Sequence, residues 1–162
     1  MALPREIALD DEQIEAMLTN DWNCRIATID AKGHINLTPM WFGWAEGKVF
    51  ITARGQKVVN LRRNPNCTVL LDHNEKFPEL QAIMMQGTAR ILESADEEAA
   101  ESGLAQVRVQ MGQKYNGGHG QAPVEDPPPM SATAKGKNRR WIVFTPDKTV
   151  SWDNFKLGRL GT

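Results

Sequence analysis

The chain opens on a helical spacing and then turns to strand alternation. Between Asp10 and Leu18, Ile14, Met17 and Leu18 recur at helical intervals behind Asp10 or Asp11 as N-cap, which predicts a short leading helix. After Asn20, Cys24, Ile26 and Thr28 alternate with Arg25, Ala27 and Ile29. A turn follows at Ala31-Lys32-Gly33, and Ile35, Leu37 and a tryptophan-rich run to Trp44 supply the returning arm of a β-hairpin. Glu46-Gly47 marks the next turn, and Val49, Ile51 and Ala53 alternate with Phe50, Thr52 and Arg54 in a third strand that ends at Gly55.

From Gln56 the period is helical, with Val58, Leu61 and Arg62 one turn apart, until Asn64-Pro65 stops the helix. Cys67 to Asp72 reads as a fourth strand and Leu80 to Leu92 as a long fifth one, in which Gly87 predicts a bulge or a close backbone approach. Asp96 to Met111 reads as a second helix. Glycines and prolines from Gly112 to Asn138 predict an extended loop, and Trp141 to Phe144, a Pro146-Asp147 turn and Thr149 to Trp152 a closing hairpin. Six or seven closely spaced strands with few helices predict a mainly β chain curled into a small closed or partly closed barrel.

With 162 residues the expectation is one domain with one core, spanning 1–162 with its long loop at about 112–138. Lys plus Arg number 19 against 20 Asp plus Glu, so a net charge of −1 gives no general attraction for nucleic acid or acidic lipid. The basic tract Lys135-Gly-Lys137-Asn-Arg139-Arg140 follows the loop and reads as solvated surface, so no nucleic-acid partner is expected. The first residues carry scattered charges and no continuous apolar run, neither a secretory leader nor a membrane span, and the expectation is a cytoplasmic protein with no membrane partner. Cys24 and Cys67 read as buried thiols, and His34, His73 and His119 lack ligand spacing, so no metal is expected. No Gly-x-Ser-x-Gly elbow or Cys–His pairing suggests a covalent hydrolase.

Two places are candidates for chemistry. At Thr52-Ala53-Arg54-Gly55-Gln56-Lys57 a strand passes through a glycine into a helix N-terminus, where unpaired amides and partial positive charge favour an anion. The same pattern also occurs as a plain solvated basic helix. Thr38-Pro39-Met40-Trp41-Phe42-Gly43-Trp44 is an apolar strand with a proline, which predicts a sheet edge facing either a planar ligand or simply the core.

Taken together, Ile26 to Asp30 with Gly33, Thr38 to Phe42, Val49 to Thr52 with Lys57, Asn60 to Pro65, Gln86 to Arg90, and Val150 to Asp153 with Lys156 resemble the pyridoxamine-5′-phosphate-oxidase-like flavin and deazaflavin oxidoreductases. The resemblance covers most of the chain and implies a six- or seven-stranded antiparallel split β-barrel and a homodimer with cofactor sites between subunits. It implies that Thr38, Pro39, Met40 and Trp41 line a tricyclic ring, that Thr52, Arg54, Gln56 and Lys57 hold its phosphate beside Asn60, and that Trp152 closes the pocket from the other subunit. The Ser-Arg-Lys run of the pyridoxamine-phosphate oxidases stands here as Gly55-Gln56-Lys57, one cation short, which favours coenzyme F420 over FMN.

The expected activity is hydride transfer between that deazaflavin, or FMN, and a small conjugated organic molecule. The alternatives are an FMN-dependent oxidase of the pyridoxamine-phosphate type and a non-catalytic flavin or tetrapyrrole binder. No residue is singled out as catalytic, although Tyr115 and His119 are conceivable proton donors.

Overall fold

The computed structural model describes residues 5–116 and 139–159. Helix α1 (Asp11–Asn20) starts from a reciprocal cap: the Gln13 amide donates to the Asp10 carboxylate at 2.8 Å, and the Asp10 amide donates to the Gln13 side chain at 3.1 Å. Strand β1 (Cys24–Ile29) buries Cys24, Ile26 and Thr28, as its alternation predicts. It pairs with β2 (Ile35–Met40) around a turn in which the Asp30 carboxylate accepts from the amides of Lys32 and His34. These bonds hold the Asp30 carboxyl below its usual range. Strands β3 (Gly43–Ala45) and β4 (Lys48–Ala53) form a second hairpin through Glu46 and Gly47, whose positive φ angles suit a two-residue turn.

Helix α2 (Gln56–Arg63) ends before Pro65, and β5 (Asn66–His73) and β6 (Gln81–Leu92) follow. Helices α3 (Ala95–Ala100) and α4 (Leu104–Asn116) precede β7 (Arg140–Asp153). All seven strands belong to one antiparallel sheet, ordered β2-β1-β5-β6-β7-β4-β3. Its two edges, β2 and β3, are separated in the chain by Trp41 and Phe42 alone. A flat sheet would hold those edges about 29 Å apart, whereas the three Cα steps from Met40 to Gly43 reach at most about 11 Å. The sheet therefore curls into a half-barrel, and Pro39 stands on an edge strand as its missing donor requires.

Inside the curl, Ile26, Phe42, Ile51, Val69, Ile83 and Phe144 form a core into which α1 sends Met17 and Leu18 and α2 sends Val58 and Leu61. A second cluster lies on the other face of β4 and β7, where Phe50, Trp141 and Val143 are covered by Leu104 and Val107 of α4. Both cysteines are buried unpaired thiols, pushed up to about 12 by desolvation.

Four expectations change. The run to Trp44 is not one strand, because the Phe42 amide and carbonyl meet the Tyr115 hydroxyl instead of a neighbouring strand. The helix expected from Asp96 to Met111 is two helices, broken at Gly103 with φ of +82°. Gly112 to Asn116, expected in the loop, belong to α4; residues 117–138 lie outside those described. The closing hairpin is one continuous strand, because β7 runs the full length of β6 and places Pro146 opposite Gly87 at a register shift.

That shift is the close approach Gly87 predicts. A Cβ there would lie 2.1 Å from the Thr145 carbonyl oxygen, whereas one on Gly158 meets nothing within 4 Å. Gly87→Ala should lower unfolding free energy by about 1–3 kcal/mol in a urea titration, the range for an overpacked site, and Gly158→Ala should leave it near the wild-type value.

Candidate functional site

Strand β4 delivers the chain through Ala53 and Arg54 to Gly55, whose φ of +76° turns it into α2 with no side chain capping the helix. The first amides of such a helix have no intrahelical acceptor, and the aligned peptide dipoles make this end partially positive. Lys57 stands on that first turn, half-buried, and makes no hydrogen bond or ion pair among the described residues. Burial alone pushes its ammonium below the usual lysine range. Arg54 is exposed and likewise has no partner among the described residues.

The other cations nearby are engaged. Arg62 grips the Glu93 carboxylate with two bonds of 2.6 and 2.7 Å, Arg140 reaches the same carboxylate at 3.3 Å, and Arg63 donates to the Ile29 carbonyl. Arg62 and Arg63 also sit at the helix's negative end, where cations are favoured. The positive end thus carries Lys57, with Arg54 just before it, and neither has a partner among the described residues, an arrangement that attracts an anion.

Gln56 and Asn60 tie this terminus to the sheet. The Gln56 side chain donates to Asn60 Oδ1 at 2.8 Å, and Asn60 Nδ2 donates to the Thr28 hydroxyl of β1 at 3.1 Å. Asn60 is wholly buried, so it orients Gln56 from within. Thr28 lies opposite Asn36 in β2, and Thr38 follows on the same face, opposite Ile26. The Thr38 hydroxyl is buried with no hydrogen-bond partner among the described residues. A buried hydroxyl without a partner is uncommon, and it fits a site that receives one from a ligand.

At the end of β2, Trp41 is 43% exposed and its ring lies parallel to that of Tyr115, centroids 4.4 Å apart. Trp22 meets both rings edge-on, at 6.3 and 5.5 Å. Tyr115 is buried, and its hydroxyl accepts from the Phe42 amide and faces the carbonyls of Phe42 and Trp22, all at 3.0 Å. Desolvation pushes its phenol up to about 12. A phenol so engaged is a framework group rather than an available proton donor, and His119 lies outside the described residues.

Within one chain the structure ties Gln56 and Asn60 of α2 to Thr28 of β1, and Thr38 and Met40 share the Thr28 face of the β1–β2 pair; Lys57 stands beside Gln56 on the first turn of α2, and Trp41 just past the end of β2. Three residues stand apart. Pro39 lies opposite Arg25, on the other face of β2 from Thr38 and Met40. Thr52 shares a β4 face with Phe50 and lies opposite Trp141, on the side covered by α4. Trp152 is eleven residues beyond Trp141 along β7, on the order of 35 Å of extended strand, on the outer face with Val150. Sequence reasoning missed Trp22 and Lys114; Trp22 stands alone in a loop, and only the folded contacts reveal it.

These residues lie in a chain that belongs to the pyridoxamine 5′-phosphate oxidase family, whose model matches residues 10–153. No curated protein matches the chain. Among solved structures it is similar to the conserved hypothetical protein Rv2991 from Mycobacterium tuberculosis, 25% identical, TM-score 0.75, over 98% of this chain and 93% of that one. It also shares its fold with an F420 reductase, 19% identical, TM-score 0.58, covering 84% of this chain and 94% of that one. The heme storage protein HutZ from Vibrio cholerae, 16% identical, has the fold as well, with TM-score 0.64 over 88% and 94% of the two chains. Among the described residues no helix is long and apolar enough to cross a membrane.

Lys114 supplies a pH test of the corner behind Trp41. Its ammonium donates to the carbonyls of Asp21 and Thr19 at 2.9 and 3.3 Å and stands 4.2 Å from the Phe42 ring centroid, and burial pushes it down to about 8. Its folded pKa lies below the unfolded one, so from about pH 8 to 10.5 the unfolded chain binds more protons and this group's contribution to stability rises with pH. The thiols and Tyr115, with folded values near 12, act in the opposite direction above pH 9. The stability of the wild type relative to Lys114→Met should therefore increase between pH 7 and 9.5 in paired denaturant titrations. A difference independent of pH would contradict this placement of the ammonium.

Proposed function

We propose that the protein is an oxidoreductase that transfers a hydride between a bound deazaflavin, coenzyme F420, and a small conjugated organic substrate, with FMN as the alternative cofactor. The observation that carries this reading is Lys57, a partly desolvated cation at the positive end of α2 with no carboxylate partner among the described residues. A phosphate supplies the missing negative charge and accepts from the unpaired amides. The buried Thr38 hydroxyl without a partner, on the face joined to α2 through Thr28 and Asn60, supports a ligand that extends from the phosphate to β2.

Both features fit a phosphorylated tricyclic cofactor. Lys57, Arg54 and Gln56 would hold its phosphate, Asn60 would orient Gln56, and Thr38, Pro39, Met40 and Trp41 would line its ring. Thr52 acts from behind, as part of the strand that delivers Arg54. Such a cofactor supplies the hydride chemistry itself, so the residues of this chain bind, orient and exclude water, and no carboxylate pair or triad is needed. Gly55-Gln56 in place of a second cation supports the deazaflavin, as does the fold shared with an F420 reductase. The fold shared with a heme storage protein supports the rival reading of a non-catalytic binder.

We infer further that the working unit is a homodimer. The outer face of β2 exposes Ile35 at 72% and Leu37 at 61%, next to Ala27 and Ile29 of β1 and a groove of about 380 Å³ that reaches Cys67 and Gln86. A contiguous apolar surface of this kind is a usual mark of an interface. Trp152 lies on this outer face, and a second copy is what would bring it to the cofactor.

The purified chain, titrated with coenzyme F420 and with FMN, should bind the deazaflavin more tightly, and the reduced cofactor should be oxidised when conjugated acceptors are offered. Binding without turnover across a broad acceptor panel would favour the storage reading. Lys57→Ala should weaken cofactor binding by about 1.5–3 kcal/mol, the range for a charged hydrogen bond, with an unchanged melting curve. An unchanged dissociation constant would reject Lys57 as the phosphate ligand. Leu37→Glu should convert dimer to monomer in sedimentation velocity and weaken cofactor binding in parallel; a monomeric wild type would remove the shared site.

A further inference from the structure

Phe42 poses a problem of its own. It lies between two edge strands, is wholly buried, and has an amide and a carbonyl with no ladder partner, yet buried backbone groups need partners. The Tyr115 hydroxyl meets both at 3.0 Å and also reaches the Trp22 carbonyl. It accepts from the amide, and its one proton serves the two carbonyls in turn. The ring that carries this hydroxyl lies within 2° of parallel to Trp41. The next residue back, Lys114, fastens the same turn of α4 to the Thr19 and Asp21 carbonyls. One turn of α4 therefore grips the α1–β1 connection and the β2–β3 corner together, with the Trp41 ring of that corner stacked on the Tyr115 ring.

We propose that Tyr115 is a positioning residue: its hydroxyl locks the Phe42 backbone, its ring sets the plane of Trp41, and through Trp41 it sets the affinity of the cofactor site. The proposal rests on the reading of Trp41 as a cofactor-lining residue. It separates two roles within one side chain. The hydroxyl supports stability, because without it the buried Phe42 amide and carbonyl are left unpaired. The ring supports binding, because stacked aromatic rings restrict one another's orientation.

The test is a set of double-mutant cycles read by cofactor titration and by near-ultraviolet circular dichroism of the ligand-free protein. Tyr115→Leu should weaken cofactor binding about tenfold, a loss in the range of one aromatic contact. In a Trp41→Ala background it should cost less than about twofold, because the residue it positions is gone, while in a Lys57→Ala background the full loss should remain. Tyr115→Phe keeps the ring and should recover most of the affinity and of the aromatic dichroism, yet melt at a lower temperature than the wild type.

An equal loss with and without Trp41, or no loss in Tyr115→Leu, would overturn the proposal. If the wild type binds neither coenzyme F420 nor FMN, the functional reading falls, and the dichroism still decides the positioning. An aromatic signal in Tyr115→Leu identical to that of the wild type would show that Tyr115 does not orient Trp41.

Discussion

The structure depends on a closure constraint: the two edges of a seven-stranded sheet are consecutive in the chain, with Trp41 and Phe42 as the only link. So short a link leaves the sheet no option but to curl. Curling gathers apolar side chains from all around the sheet into one core and leaves the corner itself short of backbone partners. The Tyr115 hydroxyl fills that deficit from a helix far along the chain, which is why the end of α4 and the β2–β3 corner form one unit. The candidate ring site borders this corner, so its geometry follows from the closure of the barrel.

Charge is distributed around α2 with the same economy. Each cation at the negative end has an acceptor, Glu93 for Arg62 and the Ile29 carbonyl for Arg63, whereas Lys57 at the positive end has none among the described residues. Helix dipole, unpaired amides and a desolvated ammonium all disfavour that end as it stands, and all are relieved by one anion. Stability alone does not account for a lysine so placed, whereas the proposed recognition of a phosphate would.

Much of this was legible in the sequence, because the relevant physics is local. The alternation in β1, the Asp10 cap, the stop at Pro65, the edge position of Pro39 and the tight approach at Gly87 each follow from one residue's own chemistry. What was not legible depends on partners distant in the chain. Pro146-Asp147 reads as a turn until β6 is seen to run alongside it, with Gly87 opposite. The segment from Gly112 to Asn116 reads as loop until Tyr115 is seen to need a helix to reach Phe42. In the site, the strand–glycine–helix signal picked out Lys57, while the aromatic run around Trp41 left core and ligand readings open. Thr52 was placed with the phosphate ligands both by its hydroxyl beside the strand–glycine–helix junction and by resemblance, but the face it occupies depends on what covers β4, and that is α4.

The central claim is that the N-terminus of α2 holds the phosphate of a tricyclic cofactor. The most direct measurement compares the affinity of the ligand-free protein for coenzyme F420 with that for the deazaflavin riboside that lacks the phosphate and its tail, by fluorescence titration at two salt concentrations. The account predicts that the phosphorylated form binds more tightly and that its advantage shrinks as salt rises and in Lys57→Ala. Equal affinities for the two, unaffected by salt or by Lys57→Ala, would contradict it.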